Sequence, residues 1–580
     1  MKAVKSDEDL INDKLNGFKI EIRPKNVSDT VEQAIEYRKA NIWNTSDGSI
    51  DVGDLHSKAK LNAIADDLHT NKRQIALLVD VDVDGFCSSA ILYKALKAIN
   101  GDLNIDVLLP DAKLHGIKAN IDLVTKTYDY LFLPDSSAND LHTITELQKK
   151  GTQCVVIDHH VLENQAYLLD HQDDFLICSN QYEDTNLNRN LTGAGMCLLV
   201  TKLWKQKYDI ELDYDLAALG QIADMSNLND AGIYGIVKRG LENMHSKMLL
   251  EFFKDDPEVL SIKHLQFSLI PRINSVSRIG EHEDRQLVFD ALIDKDSVEP
   301  VSVRHKGRDG KFRTEQVDMN VYERAKRTLS SVKSKQDRLT KKAVGNVEYL
   351  TDGDDNFNAV ILPKEFDKGI AGLVANKILG NTKQPALVLK RNAGRYDGSG
   401  RFPQTINGLQ LLQDVNAFAA GHEQAFGVGF TENKFDTVRK AINVAVNDAP
   451  DYIYRVDGAY VNELPSVNEI REIYQASTNF RGAKDEIQIA ILGLEVAKKD
   501  LVLKNNWLKI EMNGIVINDF NTDSELKNYI NAGFGAKRFS FVANAGFNFW
   551  TGRAVPTLTV EKLVPSDKIE VETTKDNFIF

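Results

Sequence analysis

Two short stretches decide the fold, Asp80-Val-Asp-Val-Asp-Gly85 and Asp158-His-His160, and each directly follows an apolar run. Ile75 to Val79 leads into the first stretch, and Cys154 to Ile157 leads into the second. Apolar runs of four or five residues that stop at a polar cluster are typical of buried parallel strands that end in an active-site loop. We therefore predict an α/β fold whose parallel sheet carries carboxylates and imidazoles at its carboxyl edge.

Carboxylates crowded at one edge of a sheet repel one another, and they stay ionised together only when cations lie between them. The mixture of oxygen and imidazole ligands suits Mn²⁺ best, with Mg²⁺ and Zn²⁺ as alternatives. We therefore expect two divalent cations and a hydrolytic reaction in which the metals activate water.

The length and composition of the chain define the class of protein. A chain of 580 residues is too long for one core, so we expect three or more domains. No run of eighteen apolar residues occurs, the N-terminus lacks a signal-peptide core, and the four cysteines form no C-x-x-C pair. We expect a reduced, cytoplasmic protein that does not enter a membrane and whose cysteines are buried. The net charge of −13 argues against indiscriminate nucleic-acid binding, but a local groove remains compatible with it.

One segment reverses this charge balance. Between Arg304 and Lys342 there are thirteen basic and five acidic residues. The stretch from Thr314 to Val344 has no Pro or Gly and spaces its apolar residues at helical intervals, so we predict a long connecting helix. Such a helix is either a solvated linker or one side of a path for a phosphate backbone.

The same signals divide the chain into five predicted regions. These are a helical N-terminal extension (1–70), a parallel-sheet domain (71–303), a basic connecting helix (304–345), a second α/β domain (346–448) and a β-rich region (449–580). The last region is expected to form a small barrel or sandwich, because its short strand-like runs are separated by Asn and Gly.

Six motifs in the first half of the chain, taken together, resemble the DHH phosphoesterase family and, within it, the RecJ-type single-strand exonucleases. They are Asp80-x-Asp-x-Asp84-Gly85, Leu131-Phe-Leu-Pro-Asp135-Ser, Asp158-His-His160, Leu191-Thr-Gly-Ala-Gly195, Ala217-Ala-Leu-Gly-Gln-Ile-Ala-Asp224 and Leu269-Ile-Pro-Arg-Ile-Asn274-Ser-Val-Ser-Arg278.

Three further motifs resemble the DHHA1 substrate-binding domain: Lys368-Gly-Ile-Ala-Gly-Leu-Val-Ala375, Gly398-Ser-Gly-Arg401 and Ala420-Gly-His422-Glu-Gln-Ala-Phe-Gly427. The resemblance implies a DHH parallel-sheet domain joined by a long helix to a DHHA1 α/β domain. The last 130 residues are loosely similar to the oligonucleotide-binding (OB) barrel that follows in RecJ-type proteins.

The resemblance implies a metal-dependent exonuclease that degrades single-stranded DNA in the 5′→3′ direction. Its implied metal ligands are Asp80, Asp82, Asp84, Asp135, His159 and Asp224. Asp135 is the expected bridging ligand, and Asp80 is either a ligand or a supporting residue. Asp158 would orient a ring or loop behind the metals, and His160 would donate to the phosphate as a catalytic residue. Gly193 and Gly195 are expected to serve close helix packing.

The substrate contacts follow from the same resemblance. Ser399, Gly400 and Arg401 would bind backbone phosphate, and the catalytic His422 would face the scissile phosphate. On the DHH side, Asn274 and Arg278 would form a phosphate clamp. RecJ-type proteins carry an Arg where this chain has Ala112, so Lys113 or His115 would have to substitute for it. The strand polarity and the need for a 5′-phosphate stay open.

Two other functions are compatible with these motifs. One is a DHH-type hydrolase of short oligonucleotides, cyclic dinucleotides or pyrophosphate, and the other is a non-catalytic scaffold. The basic segment and the C-terminal β region favour a polymer substrate, and the retained acidic motifs argue against a scaffold. The terminal Phe578-Ile-Phe580, preceded by acidic residues, either completes the last domain or docks a replication or repair partner.

Overall fold

The computed structural model describes two compact units of the chain. The first unit comprises Thr45–Gln336 and Arg481–Lys484, and the second comprises Met1–Asn44, Asp337–Phe480 and Asp485–Phe580. The boundaries of the five predicted regions stay a prediction. The residues described are 10–11, 19–22, 52, 55, 57–111, 114–171, 173–228, 230–254, 262–306, 311–450, 453–479, 487–504, 507–520, 522, 524–533, 535–548 and 554–566.

Strands, as well as a helix, lie in the first seventy residues. Strands β1 (Leu10–Ile11) and β2 (Lys19–Ile22) pair antiparallel, and β2 also pairs in parallel with residues Ile453–Val456. The prediction of an entirely helical extension is therefore wrong, because Lys19-Ile-Glu-Ile22 alternates with the period of a strand. Helix α1 (Lys58–Thr70) lies at the end of this predicted helical extension.

The first unit is built on a five-stranded parallel sheet, which confirms the prediction from the two strand-end motifs. Its strand order is β4-β3-β5-β6-β7, so the chain moves to one side of β3 and then to the other. Open α/β sheets bind ligands at the carboxyl edge where the strand order reverses in this way, here between β3 and β5. The strands are β3 (Ile75–Leu78), β4 (Ile105–Leu108), β5 (Tyr130–Pro134), β6 (Gln153–Asp158) and β7 (Leu176–Ser179).

Helices cover both faces of this sheet. Leu77, Phe132 and Val155 face one core and their strand neighbours Leu78 and Leu131 face the other, as expected for side chains that alternate along buried strands. The helices are α2 (Val83–Ile99), α3 (Gly116–Ala119), α4 (Leu141–Lys149), α5 (Gln165–Asp170), α6 (Gly193–Trp204), α7 (Tyr214–Ala223), α8 (Ala231–Glu242), α9 (Lys247–Phe253), α10 (Ile262–His264), α11 (Ile270–Ile279) and α12 (His282–Leu292). A π-helical turn over Leu265–Leu269 joins α10 to α11.

All four cysteines are buried as free thiols, as predicted.

A β-hairpin precedes the long basic helix. Strands β8 (Val298–Lys306) and β9 (Phe312–Asn320) pair antiparallel, and helix α13 spans Val321–Val344. The predicted helix is therefore wrong over 314–320, because these residues extend along β8. The helix begins after Asn320, whose side chain accepts from the backbone N–H of Glu323 at 2.9 Å while Glu323 accepts from the Asn320 N–H at 3.0 Å. These reciprocal bonds form a capping box.

The second unit contains a six-stranded mixed sheet, which confirms the predicted second α/β domain. Its order is β10-β11-β12-β13-β15-β14, in which only β11 and β12 run parallel. The elements are β10 (Glu348–Tyr349), β11 (Asn358–Ile361), α14 (Ala371–Thr382), β12 (Ala386–Asn392), β13 (Arg395–Arg401), α15 (Gly408–Asp414), β14 (Phe418–His422), β15 (Ala425–Thr431) and α16 (Phe435–Asn447).

The C-terminal region is rich in strands, as predicted. Its main sheet has the order β17-β18-β22-β23-β21-β20-β19, which is seven strands where an OB barrel has five. The elements are β16 (Ile453–Val456), β17 (Gly458–Val461), α17 (Val467–Asn479), β18 (Gln488–Val496), β19 (Leu501–Lys504), β20 (Trp507–Met512), β21 (Ile515–Asp519), α18 (Ser524–Asn531), β22 (Lys537–Asn548) and β23 (Val555–Pro565). Short 3₁₀ helices lie at Ile121–Leu123, Lys368–Ile370, Glu432–Lys434 and Lys498–Asp500. Within the described ranges, no helix has both the length and the apolar character needed to cross a membrane.

An ion-pair network joins the helices around α2 in the first unit. Lys94 Nζ lies 2.9 Å from Asp213 Oδ1 and 2.9 Å from Asp294 Oδ2, and His245 Nε2 lies 3.2 Å from Asp213 Oδ1. Asp215 accepts the backbone N–H groups of His245 and Ser246. The hydrogen bond to Asp213 raises the pKa of His245 to about 9, although burial acts to lower it. The carboxylates of this network are thus satisfied by cationic side chains and amides.

The raised pKa of His245 predicts a pH-dependent contribution to stability. We expect His245→Gln to lower the free energy of unfolding by about 1–2 kcal/mol at pH 5.5, after allowance for solvent screening, and to have no effect at pH 10. A histidine whose folded pKa is raised stabilises the fold below its unfolded pKa of about 6.5, and this stability is lost as the pH rises through about 9. Urea unfolding of both proteins at several pH values measures the difference. A difference that did not vary with pH would contradict the prediction.

Candidate metal centre

The ends of several elements of the first unit bring six of the predicted site residues into one cluster. Asp80 and Asp82 follow β3, and Asp84 lies in the first turn of α2. Asp135 follows β5, His159 follows β6, and Asp224 caps the C-terminus of α7. Asp80, Asp84 and Asp135 are buried, whereas Asp224 is exposed. The cluster lies at the carboxyl edge of the sheet beside the reversal in strand order.

The imidazole of His159 lies among three carboxylates. Its Nε2 is 3.2 Å from Asp135 Oδ1, 3.8 Å from Asp84 Oδ2 and 3.9 Å from Asp224 Oδ2. Adjacent ligands of a cation with metal–oxygen distances near 2.1 Å lie about 3 Å apart in an octahedral site. Carboxylate oxygens of Asp80, Asp82 and Asp135 form a second group within 4.8 Å of one another. Asp135 belongs to both groups, as a bridging ligand would.

Asp135 provides the test of whether a divalent cation fits this cluster. Its Oδ1 is buried and has no hydrogen-bond partner, and its backbone adopts a left-handed φ of 57° that is uncommon for a residue other than glycine. Burial, together with the charges of Asp84 and Asp82, raises the pKa of Asp135 well above its ordinary value. A buried carboxylate oxygen without a donor is costly unless a cation contacts it. The donor set therefore fits divalent cations.

Asp84 is held by the N-terminus of α6. It accepts hydrogen bonds from Thr192 Oγ1 at 2.8 Å, Gly193 N at 2.8 Å and Ala194 N at 3.1 Å. Burial raises its pKa to about 7, and the charges of Asp224 and Asp82 act in the same direction. The sequence did not assign Thr192 to the site, although it lies in the Leu191–Gly195 motif. The first turn of α6 therefore positions a candidate metal ligand.

Two glycines allow the carboxylates to approach the helices closely. A Cβ on Gly193 would lie 2.5 Å from the Cβ and 2.6 Å from the Cγ of Asp135. A Cβ on Gly220 would overlap Asp84 Oδ1 and lie 2.6 Å from the Cβ of Ala194. Gly193 was expected to serve helix packing alone, and the structure places it directly against the carboxylate cluster.

Asp158 lies behind the cluster and is fully hydrogen-bonded. Its Oδ1 accepts from the backbone N–H of His159 at 2.7 Å and from His160 Nδ1 at 2.7 Å, and its Oδ2 accepts from Ala138 N at 3.0 Å. Burial acts to raise the pKa of Asp158, but the bond to His160 and the imidazole charges bring it far below its usual range. Burial acts to lower the pKa of His160, but the same bond raises it to about 9. The hydrogen bond to Asp158 therefore favours the protonated form of His160.

His115 contacts the edge of the same cluster. Its Nδ1 lies 3.0 Å from Asp80 Oδ2, and its ring centroid is 4.6 Å from that of His160. Burial acts to lower the pKa of His115, but the hydrogen bond to Asp80 outweighs burial. The pKa of His115 therefore lies above its ordinary value. Lys113, the other predicted substitute for the missing Arg, lies outside the described residues.

Asn274 and Arg278 lie four residues apart on α11 and therefore on one side of that helix. Burial lowers the pKa of the Arg278 guanidinium, and the negative charge of Asp82 acts to raise it. The predicted phosphate clamp thus belongs to the same unit as the carboxylate cluster, and the charge of Asp82 in that cluster acts on Arg278.

Ser399, Arg401 and His422 lie in the second unit. Arg401 pairs with Ala425, which pairs with His422, so their side chains point to one face of the sheet, and Ser399 shares that face. A Cβ on Gly372, in the first turn of α14, would lie 2.7 Å from Arg401 Nη2 and 3.6 Å from Ser399 Oγ. Guanidinium, hydroxyl and helix N-terminus together can bind an anion.

Gly400 faces the opposite side of β13. A Cβ there would lie 2.5 Å from Cζ of Phe426, so the missing side chain makes room for that ring. The strand thus separates Gly400 from the face that carries Ser399 and Arg401.

Residues 74–223 match the model of the DHH family, N-terminal domain. The chain is 26% identical over 525 residues to a putative single-strand DNA-specific exonuclease, YorK, of the SPbeta prophage of Bacillus subtilis, covering 85% of this chain and 88% of YorK. It is 23% identical to the single-stranded-DNA-specific exonuclease RecJ of Bacillus subtilis, covering 86% of this chain and 62% of RecJ.

The fold is also that of a solved structure. The crystal structure of RecJ from Thermus thermophilus in complex with Mn²⁺ superposes with a TM-score of 0.66 at 17% identity, over 92% of this chain and 75% of RecJ. Residues 74–223, which match the DHH model, contain every residue of the carboxylate cluster except Asp224, which directly follows them. Residues 74–223 are therefore similar to the DHH N-terminal domain, and the chain has the fold of RecJ.

Proposed function

We propose that this protein is a metal-dependent exonuclease that hydrolyses phosphodiester bonds of single-stranded DNA. The observation that carries the proposal is the buried Asp135 Oδ1, which receives no hydrogen bond and lies 3.2 Å from His159 Nε2, at the sheet edge where α/β proteins bind ligands. The names of YorK and RecJ, which describe single-strand-specific exonucleases, support this substrate class.

We propose that two divalent cations would be held by Asp80, Asp82, Asp84, Asp135, His159 and Asp224, of which Asp135 belongs to both groups of ligand atoms. Mn²⁺ suits this mixed oxygen and nitrogen set, and RecJ of Thermus thermophilus has been solved with Mn²⁺ and with Mg²⁺. When bound, such cations supply an activated water and neutralise the phosphate charge.

The protein's own groups have distinct tasks in this proposal. His160, held by Asp158, donates a hydrogen bond to the phosphate that reacts. Asn274 and Arg278 clamp a neighbouring phosphate of the strand. In the second unit, Ser399 and Arg401 bind backbone phosphate, with Gly400 as a supporting backbone position.

Four finer assignments also stay proposals. These are a catalytic role for His422, binding of the strand end by Lys113 or His115, digestion in the 5′→3′ direction, and a cytoplasmic location. Phe578 to Phe580, the proposed docking peptide for a replication or repair partner, lie outside the described residues.

The second candidate is a hydrolase of short oligonucleotides or cyclic dinucleotides. The excess of basic residues between Arg304 and Lys342 favours the polymer, because a small substrate has no need of phosphate contacts beyond the catalytic cluster. Rates on a dinucleotide and on a ~30-nucleotide strand, which exceeds the usual single-strand site sizes, separate the two functions.

We expect complete loss of hydrolysis in EDTA and its recovery on addition of Mn²⁺. Single-stranded DNA should be degraded at least about tenfold faster than a blunt duplex, because only a flexible strand can follow contacts in a groove. End-labelled substrates with each end blocked in turn measure the preference and the polarity. Equal rates on duplex and single strand, or full activity in EDTA, would contradict the proposed function.

A further inference from the structure

The hairpin of β8 and β9, which we call the arm, is a separate two-stranded sheet. Its strands pair at nine positions, from Val298↔Asn320 to Lys306↔Phe312. At about 3.4 Å per residue, it is roughly 27 Å long. In the described part of the chain neither strand pairs with another sheet, and most side chains of β9 are exposed. An isolated hairpin of this kind is at best marginally stable in water, so the arm depends on the contacts made at its base.

The base of the arm is anchored to α13 and the loop before β8. Arg324 Nη1 lies 2.6 Å from Glu299 Oε2, and Arg324 Nη2 donates to Ser297 Oγ at 2.6 Å. Tyr322 Oη lies 3.1 Å from Asp294 Oδ1 and 3.2 Å from Asp296 Oδ1. The direction of the arm is therefore set by its base, and its distal half extends from that anchor.

The distal half combines an aromatic ring with cations. The Arg304 guanidinium lies 4.3 Å from the centroid of the Phe312 ring, and Phe312 is 59% exposed. His305 pairs with Arg313 on the other face, and both are exposed. From Arg304 to Arg313 the sequence has five Lys or Arg residues and one Asp, within a chain of net charge −13.

We infer that the arm is a second binding site for single-stranded DNA, outside the carboxylate cluster. Single-strand binding surfaces combine aromatic rings, on which bases stack, with cations that track the phosphates, and the arm presents both. Phe312 offers the stacking surface, while Arg304 and Arg313 offer the phosphate contacts. This inference rests on the proposed function for its ligand class.

The test compares arm variants of the full-length protein for binding and for hydrolysis. Binding is measured in EDTA with a fluorescent oligo(dT) of ~30 nucleotides. Hydrolysis is measured with a ~6-nucleotide strand, which offers few phosphates to a second site. We expect Arg304→Glu with Arg313→Glu to weaken binding about tenfold or more and to reduce the salt slope by about 1.4. Hydrolysis of the short strand should stay within about twofold of the unmodified protein.

Phe312 variants separate stacking from packing. Phe312→Ala and Phe312→Leu should both weaken oligo(dT) binding about tenfold, and Phe312→Trp should restore it, since only a ring offers a stacking face. Leu keeps an apolar side chain, so if Phe312 served only to pack against its neighbours, Phe312→Leu would bind oligo(dT) normally. As the charge control, Lys149→Glu with Lys150→Glu at the end of α4 changes the net charge equally and should leave binding unchanged.

Each outcome decides the assignment. Binding by all arm variants at the affinity of the unmodified protein would overturn the inference, as would a loss confined to a blunt duplex probe, which would make the arm a duplex-binding element. If the arm variants lose oligo(dT) binding but the unmodified protein hydrolyses no DNA, the arm is still a binding site for single-stranded DNA and the proposed function is rejected.

Discussion

Asp135→Asn is expected to lose hydrolytic activity by a factor of about 10³ or more, because several kcal/mol of charge stabilisation by the metals would be lost. Asn tolerates the left-handed φ of 57° at this position and keeps the shape of the side chain. Addition of Mn²⁺ should raise the melting temperature of the unmodified protein through preferential binding to the folded state. The same addition should have little effect on the variant.

Without metal, the same variant should be the more stable protein at neutral pH. The folded-state pKa of Asp135 is raised by burial and by Asp84, so the charge destabilises the fold at any pH where it is ionised. Removing it should increase the free energy of unfolding at pH 8, and the gain should shrink towards pH 4. Thermal unfolding in EDTA across this range measures the effect. A variant that binds Mn²⁺ and cleaves DNA normally would exclude Asp135 from the metal site.

Asp84→Ala is the informative comparison for Asp135. It should also abolish hydrolysis, but it leaves Thr192 Oγ1 and the first amides of α6 without their acceptor. We expect it to destabilise the metal-free protein by about 2–4 kcal/mol, in contrast to the gain at Asp135. These results would identify Asp135 as a metal ligand whose charge destabilises the metal-free fold. They would identify Asp84 as a metal ligand that also stabilises the fold through its hydrogen bonds.

The second large effect is expected at Gly193. Gly193→Ala should reduce hydrolysis by about 10²-fold or more and destabilise the protein by about 2 kcal/mol, because the added methyl group overlaps Asp135. Gly193 opens helix α6 with an ordinary backbone conformation, so the effect is steric and does not come from lost flexibility. Activity assays, urea unfolding and Mn²⁺ titration together measure it.

Gly101→Ala is the matched control for Gly193→Ala. Nothing lies within 4 Å of a Cβ at Gly101, so its substitution should change stability by less than about 0.5 kcal/mol and leave activity unchanged. Normal Mn²⁺ affinity and activity in Gly193→Ala would show that α6 can move away from the carboxylates without loss of function.

Much of the first unit could be predicted from local patterns. Ile75 to Val79 and Cys154 to Ile157 are short apolar runs that only a buried strand accommodates well, and the polar residues after them had to emerge at one edge. The parallel sheet, the burial of the cysteines and the shared location of Asp82, Asp84 and His159 could be predicted from such patterns.

The failed predictions concern residues whose partners are distant in sequence. Val317 and Val321 have helical spacing, but Val317 pairs with Val301 across the arm, and strand formation depends on such cross-strand partners. Lys19–Ile22 joins a sheet with Ile453–Val456 from the far end of the chain. Spacing within a short window carries no information about these pairings.

The sequence by itself determined which residue types meet at the sheet edge, because strand period and strand length set where each Asp and His emerges. Asp135 and Asp158 are equivalent by that criterion, since each lies where a buried strand ends. Tertiary structure alone separates them. Asp158 accepts hydrogen bonds from backbone amides and from the His160 imidazole, whereas Asp135 Oδ1, which lies beside Gly193, His159 and neighbouring carboxylates, accepts none. Side-chain charge is a property of the residue, but the supply of hydrogen-bond donors depends on what the fold packs around it.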